Sequence, residues 1–538
     1  MKRVILVLFL VGVWQAGKVA AAERLLPGQE YDGVVLDPAV EVAEGTRPAS
    51  VRVEWGDRSA PVSGRLFGFN FNWLNSQKFI QPSGSASLDT TLVELCRGRP
   101  LFTSRMSGTG SQCIQWKTAI GPVAQRREQR LMPWRSSRAV PAFGPMEWVR
   151  FTQAVNPDCE LVWVFNLLLG TPRDAADMVE FLTCDPGQNP NGGEDWAAKR
   201  VALGMTESPA IAVWELGNEL DHYGGWKIDT YVDACRRVIA AVRQVRPDAR
   251  FSAHVAGAPW SREQYATLDD WRHWHRRVLS ELGDDLAFLS FHPYYDGIAV
   301  ARIHRYIRVI REDIREVTGS SRIRLYHSEH ARWPPRAPLT AAERRRGRKQ
   351  GRLQADETAN LRGCLSTADF LMRVMGDGDG AGDMASYHCF HGGPWAAVRP
   401  AGEGWYATGI YEMFGLFAET VGWQVAETSV SGPATARLAR DNPATFLAQG
   451  LVRNEHRALL LLNKSPAASR VVEVLGTGDW RVAEKYVFSA SSPDALNTAD
   501  AKPLRLKHET LRTPRPLRRL VIPPHTLTLL RLTPHRKQ

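Results

Sequence analysis

Between residues 66 and 422, eight short runs rich in apolar, β-branched and aromatic residues alternate with longer stretches of helical spacing. The runs are 66–72, 101–106, 161–166, 211–216, 250–254, 286–292, 323–328 and 383–389. A strand buried on both faces reads as a nearly continuous apolar run, and a long crossover between two such strands makes them parallel. Eight repeats of this unit predict an α/β fold, a closed (β/α)8 TIM barrel. The intervening segments 230–245 and 270–282 place apolar residues on one helical face and charges elsewhere, as shell helices require.

After Trp423 the pattern changes to alternating apolar and polar residues in 445–452, 457–463, 470–475, 480–487 and 520–532, separated by Asn, Gly, Pro and Ser turns. This predicts a C-terminal antiparallel β-sandwich, joined from the N-terminal side by the strand-like piece 49–55. The expected organisation is a signal peptide over 1–22, an N-terminal strand segment over 23–65 packing on the sandwich, a catalytic barrel over 66–423 and the sandwich over 424–538. The leader reading rests on Lys2 and Arg3, an apolar run over 4–14 and the small residues Ala20, Ala21 and Ala22. Eleven apolar residues are too few to cross a bilayer, which needs about 20. The expectation is therefore a secreted or periplasmic protein, cleaved near Ala22 and free of the membrane afterwards.

At 44% hydrophobic and 23% charged residues, 538 residues make an ordinary globular chain, which excludes disorder. Sixty-eight Lys and Arg against 57 Asp and Glu give +11, a modest excess for this length, and no nucleic-acid-binding module accompanies it. The seven cysteines contain no Cys-x-x-Cys pair, so zinc-ribbon and thioredoxin chemistry lack their motif. Up to three disulfides or a set of buried thiols are both compatible with them.

In a barrel of this kind catalytic groups stand at the C-terminal ends of strands. Two ends carry carboxylates: the fourth run leads into Glu215-Leu216-Gly217-Asn218-Glu219, and the seventh into His327-Ser328-Glu329. Glu219 and Glu329 are 110 residues apart, three βα units of about 37 residues, so both are expected over one barrel mouth. Two facing carboxylates can cleave a glycosidic bond, one protonating the leaving oxygen while the other attacks the anomeric carbon or activates water. The dipeptide alone proves little, since Asn454-Glu455 repeats it in a charged stretch. Glu215 reads as a supporting or ion-pair residue.

The histidines His327, His330, His388 and His391 invite a metal reading, but side chains three apart on a regular strand face opposite ways and no acidic ligand set accompanies them. No metal or organic cofactor is expected. The Gly-Asp run over 376–382 lacks the terminal Glu of a calcium loop and reads as a flexible loop. Of the 18 tryptophans, Trp73, Trp116, Trp333 and Trp395 follow strand ends and are candidate sugar platforms. Arg344, Arg345, Arg346, Arg348, Lys349 and Arg352, after the seventh run, form either a solvated face or a device that steers an acidic polysaccharide.

Several strand-end motifs resemble those of the retaining (β/α)8 glycoside hydrolases, and most closely the α-L-arabinofuranosidase family 51. They are Arg105-Met106-Ser107-Gly108, Trp116-Lys117-Thr118-Ala119-Ile120-Gly121-Pro122, Phe143-Gly144-Pro145-Met146-Glu147-Trp148, Asn166 with Gly170-Thr171-Pro172, and Trp214 through Leu220. The resemblance covers nearly all of the chain beyond the leader. It implies a carbohydrate substrate, Glu219 as acid/base, Glu329 as nucleophile, Asn218 on the neighbouring sugar hydroxyl and Arg105 beside the nucleophile. The His292-Pro293-Tyr294 pattern implies a tyrosine hydroxyl near Glu329. The family carries Glu after the first strand where Asn72 stands, and Pro-Gly-Gly-Asn where this chain has Ser107-Gly108-Thr109-Gly110. The same barrel clan also houses xylosidase, glucuronidase and endo-glucanase activities. A silent carbohydrate-binding protein is the reading outside enzymes.

Overall fold

The computed structural model describes residues 49–71, 79–80, 87–106, 108–133, 136–222, 224–257, 267–295, 300–348, 350–431, 446–465, 467–476 and 480–534. The leader, Asn72 and Trp73 lie outside them.

Eight strands form the barrel: Gly68–Phe71, Thr103–Met106, Glu160–Val164, Ile211–Leu216, Phe251–His254, Leu286–Ser290, Arg324–Arg332 and Met384–His388. Each pairs in parallel with its sequence neighbour, and the eighth pairs with the first, so the ring closes. Val162, Val213, Phe288, Tyr326 and Met384 form a separate cluster of buried side chains contributed by these strands.

The shell helices are amphipathic as expected. Ile228–Val245 buries Tyr231, Val232, Cys235, Val238, Ile239 and Val242 at helical spacing. Leu268–Leu282 begins at a capping box in which Thr267 and Asp270 satisfy each other's backbone amides. No helix among the described residues is long and apolar enough to cross a membrane.

The second body is a nine-stranded, mostly antiparallel sheet. Its order is Leu506–Pro516, Trp480–Ser489, Thr526–Pro534, His456–Asn463, Phe446–Arg453, Gln424–Ser431, Ala49–Pro61, Arg470–Leu475 and Arg519–Ile522. Ala49–Pro61 pairs antiparallel with Gln424–Ser431 and parallel with Arg470–Leu475. The strand His456–Asn463 is buried on both faces because it serves two cores. Leu459 and Leu461 join the sheet's own interior with Val51, Val472 and Leu530, while Leu460 and Leu462 pack into the barrel's core. A buried ion pair between Lys464 and Asp369 of helix Leu361–Met375 adds a polar tie between the two bodies.

Three expectations need correction. The run 520–532 is two strands, because Pro523 and Pro524 cannot donate to a ladder, and its halves pair with different neighbours. Strand Leu506–Pro516 escaped notice because it is an almost wholly exposed edge with no apolar alternation. The 376–382 segment is packed: Asp377 pairs with His304, Arg308 and Arg311, and a Cβ on Gly380 would run into the Val374 carbonyl. All seven cysteines are buried free thiols.

Candidate active site

Arg105, at the end of the second strand, is completely buried and organises the mouth. Its Nε donates to Glu215 at 2.5 Å, one terminal nitrogen to Glu329 at 3.0 Å and the other to the Asn218 side-chain oxygen at 2.7 Å. A rigid, always-charged fork can satisfy three acceptors at once, and here it binds the ends of the fourth and seventh strands into one frame.

The fourth strand turns sharply after Leu216. Gly217 has φ 79°, and Glu219 itself has φ 48°, in the left-handed region that costs a non-glycine residue energy. The Glu219 carboxylate then meets Nδ1 of His292 at 2.8 Å. On the seventh strand the register breaks between His327 and His330. Both histidines consequently contact the same Phe370 of the outer helix, at 5.5 and 4.8 Å, instead of facing opposite ways. A bulge of this kind re-aims the residue inside it, here Glu329, toward the mouth. Glu329 accepts from Arg105 and from the Tyr294 hydroxyl at 2.9 Å, with Nδ1 of His292 at 3.7 Å and Nδ1 of His388 at 3.6 Å. The facing ligand atoms of Glu219, His292 and Glu329 all lie within 4.8 Å of one another.

Gly108 completes the cradle of the Glu329 carboxylate. A Cβ there would stand 2.4 Å from Glu329 Oε1, so only glycine permits the carboxylate its position. The next residue, Thr109, accepts a 3.4 Å hydrogen bond from Asn218.

The electrostatics separate the roles of these groups. Burial alone would push the Glu329 carboxyl up, but His292, His388, Arg105 and the Tyr294 hydroxyl outweigh it and hold the group well below the ordinary carboxylate range. Burial would lower His292, yet the Glu329 and Glu219 carboxylates raise it above an ordinary imidazole. His388 is lowered, because its burial exceeds what Glu329 restores. Its Nδ1 lies 3.1 Å from the Asn70 amide nitrogen. Tyr294 is pushed well above its usual value, first by burial and then by Glu329, and stays a donor.

Glu219, His292 and Glu329 are also the described residues placed to hold a divalent ion. The Arg105 guanidinium 3.0 Å from Glu329 sets a fixed positive charge against a cation there.

Of the tryptophans, Trp333 and Trp395 adjoin the site. Their rings lie 5.4 and 5.7 Å from that of Tyr294 and 5.3 Å from each other, and Trp333 is 40% exposed. Trp116 is buried between Phe181 and Trp196, with its indole N–H on the Asp174 carbonyl, and what remains open of it lines a cavity with Asn166 and Gly170, apart from Tyr294 and Trp333. Asn166 spends its side chain on the Ile114 carbonyl and the Leu169 amide, shaping a loop. Sequence reasoning missed Asn70 and weighed His388 only as a metal ligand. Their positions on the first and eighth strands were the available signal.

Residues 105–280 match the α-L-arabinofuranosidase 1 domain family. An intracellular exo-α-(1→5)-L-arabinofuranosidase of Streptomyces lividans is 27% identical over 187 residues, 34% of this chain and 26% of that one. An exo-α-(1→6)-L-arabinofuranosidase of Bifidobacterium longum is 26% identical over 254 residues, 44% of each. The aligned part thus spans less than half the length of these curated relatives. A solved family 51 α-L-arabinofuranosidase of Bifidobacterium longum superposes with a TM-score of 0.74 at 18% identity, covering 91% of this chain and all of the other. The resemblance read from the strand-end motifs is borne out, as is the barrel with its accompanying β-sandwich. The expected secreted or periplasmic location is overturned: five of the curated relatives are named intracellular. A basic pair before eleven apolar residues is a short compositional pattern, which by itself does not assign a compartment.

Proposed function

We infer that this chain, an arabinofuranosidase-like glycoside hydrolase in sequence and fold, cleaves glycosidic bonds of polysaccharide or oligosaccharide side chains by double displacement with retention. The observation that carries the reading is that the facing carboxylate oxygens of Glu219 and Glu329 lie within 4.8 Å of each other across the mouth. Retaining pairs stand roughly 5–5.5 Å apart, whereas inversion needs roughly 6.5–9.5 Å to admit a water.

In the first step the ionised Glu329 attacks the anomeric carbon while Glu219 gives its proton to the departing oxygen. The glycosyl–enzyme ester forms as the glycosidic bond breaks. In the second step Glu219 takes a proton from water, whose oxygen displaces Glu329. Arg105 and Tyr294 keep Glu329 ionised and aimed, and Asn218, itself held by Arg105, hydrogen-bonds the hydroxyl beside the anomeric centre. Both steps use side chains alone.

The relatives named above act on α-L-arabinofuranosides, and arabinofuranose is the first substrate to test. Asn72 and Gly110, at positions where the resembled family grips the furanose, support a shifted preference within the clan. The arginines over 344–352 support an acidic polysaccharide as the polymer.

The test uses Glu329→Ala and Glu219→Ala on a panel of aryl arabinofuranoside, xyloside and glucuronide. Glu329→Ala abolishes turnover. Glu219→Ala spares substrates with good leaving groups, loses about 10²–10⁴-fold on poor ones and is rescued by azide. Equal loss on both substrate kinds contradicts the acid role of Glu219.

A further inference from the structure

The chain's +11 excess is concentrated in two places. Residues 343–352 hold six cations and one carboxylate, and residues 505–519 show the same balance, so the two segments account for nearly all of it. Arg344, Arg345 and Arg346 are exposed and make no ion pair among the described residues, while Arg348 and Arg352 share the single Glu343. Arg505, Lys507, Arg512, Arg515, Arg518 and Arg519 are likewise exposed and unpaired among the described residues. Protecting a sheet edge from association needs charge, but either sign serves. A run of one sign without counter-charges costs self-repulsion and needs another reason.

The fold brings the first segment and the start of the second to the same end of the barrel; from Arg505 the second runs along strand Trp480–Ser489, from Phe488 to Arg481, toward the far end of the sheet. The first leaves the mouth directly after the nucleophile strand, with its base closed by the pairing of Arg336 with Leu353 beside Trp333. It returns into helix Leu361–Met375, whose first amides are bonded by the carbonyls of Ala495 and Pro493. From that junction the chain runs to Leu504, which packs with the Ala359 carbonyl around Gly409, and Arg505 follows at once. Both basic segments thus start from the loops over the C-terminal ends of the barrel strands, where Trp333 presents an exposed indole.

We propose that the two segments form a binding track for a polyanionic, uronate-bearing glycan. This rests on the glycosidase reading of the mouth, to which the track delivers the polymer. Carboxylates spaced along such a chain pair with guanidinium forks, and a sugar face stacks on Trp333 where the track meets the site. The apolar residues of 505–519 (Leu506, Leu511 and Leu517) are turned inward, so a lipid surface would gain no apolar anchor. Neither segment carries a Phe, Tyr or Trp on which unpaired nucleobases stack, and the His508 ring is already stacked on Tyr486 at 4.3 Å.

The experiment measures binding of fluorescent oligogalacturonate to the full chain carrying Glu329→Ala. Neutral dextran, single-stranded DNA and phosphatidylglycerol vesicles serve as comparators. Variants are R344Q/R345Q/R346Q, R512Q/R515Q/R519Q and their combination. Each triple weakens binding at least threefold and the combination at least tenfold, and rising salt weakens the parent most. In the Glu329 background all three variants keep activity on a small aryl glycoside within twofold. Binding unchanged by the substitutions overturns the proposal, as does DNA or vesicle binding equal to that of oligogalacturonate. Hydrolysis without arginine-dependent binding sinks the track and leaves the function, whereas arginine-dependent binding without hydrolysis of any glycoside does the reverse.

Discussion

Replacing Gly108 by Ala introduces one methyl group against the Glu329 carboxylate. Its Cβ would stand 2.4 Å from Glu329 Oε1, 3.4 Å from Glu329 Cδ and 3.9 Å from the Asn70 amide nitrogen, so the clash is with the carboxylate alone. Real contacts of this kind rarely fall below 3.0–3.4 Å, and the carboxylate must therefore retreat by about 1 Å. That oxygen is the one Arg105 holds at 3.0 Å, so the retreat also loosens the bond that aims it. Misplacement by about 1 Å costs roughly 10²-fold in rate, or about 2.7 kcal/mol of barrier. The expected result is kcat on an activated aryl glycoside lowered about a hundredfold, with KM moved little and the thermal midpoint within a few degrees of the parent. A kcat within threefold of the parent would show that Glu329 is not held where the reaction needs it, and would refute the argument.

Arg105→Lys keeps the charge but cannot reach Glu215, Glu329 and Asn218 together, so kcat/KM falls by roughly 10- to 100-fold, the worth of one charged hydrogen bond. Because Arg105 is one of the groups that depress Glu329, the acid limb of the pH–rate profile moves to higher pH; an unmoved limb contradicts this. Trp333→Ala raises KM for oligosaccharides by roughly 3- to 10-fold, the worth of one stacking contact, while leaving kcat on small aryl glycosides within about twofold. Asp313 would be raised by burial, but His275 and Arg272 lower it from 3.8 to about 2. A depressed carboxyl contributes stability above its unfolded pKa and loses it as pH falls through the folded one. Asp313→Asn therefore costs about 2 kcal/mol in denaturant unfolding at pH 7, and the difference shrinks progressively below pH 4 toward pH 2. A constant difference across that window refutes the linkage.

The aromatic pairs show where one-dimensional reading reaches its limit. Trp116 and Trp333 both follow strand ends, yet Trp116 is buried against Phe181 and Trp196 while Trp333 is open beside Tyr294. Their immediate sequence contexts do not separate them, because what covers each ring comes from segments far away along the chain. His327 and His330 make the same point about periodicity: alternation predicts opposite faces, and a bulge that no residue pattern announces put both against Phe370. The exposed edge Leu506–Pro516 lacked the apolar alternation by which strands are found, since its pairing to Trp480–Ser489 needs no buried side chains of its own.

The eight-unit barrel, the following sheet and the strand ends that carry Glu219 and Glu329 were all legible in the order of residues. Burying both faces of a parallel strand demands a local, continuous apolar run, and local demands are written locally. The folded chain alone shows that Arg105 joins Glu215, Asn218 and Glu329, that Gly108 must lack a side chain, and that His292 stands between the carboxylates. It also shows that the second basic segment, more than 150 residues after the first, starts at the barrel end that the first one leaves. Such relations are distances between residues of different strands and loops. They are set by closure of the ring and by a register break on the seventh strand, which no local pattern encodes.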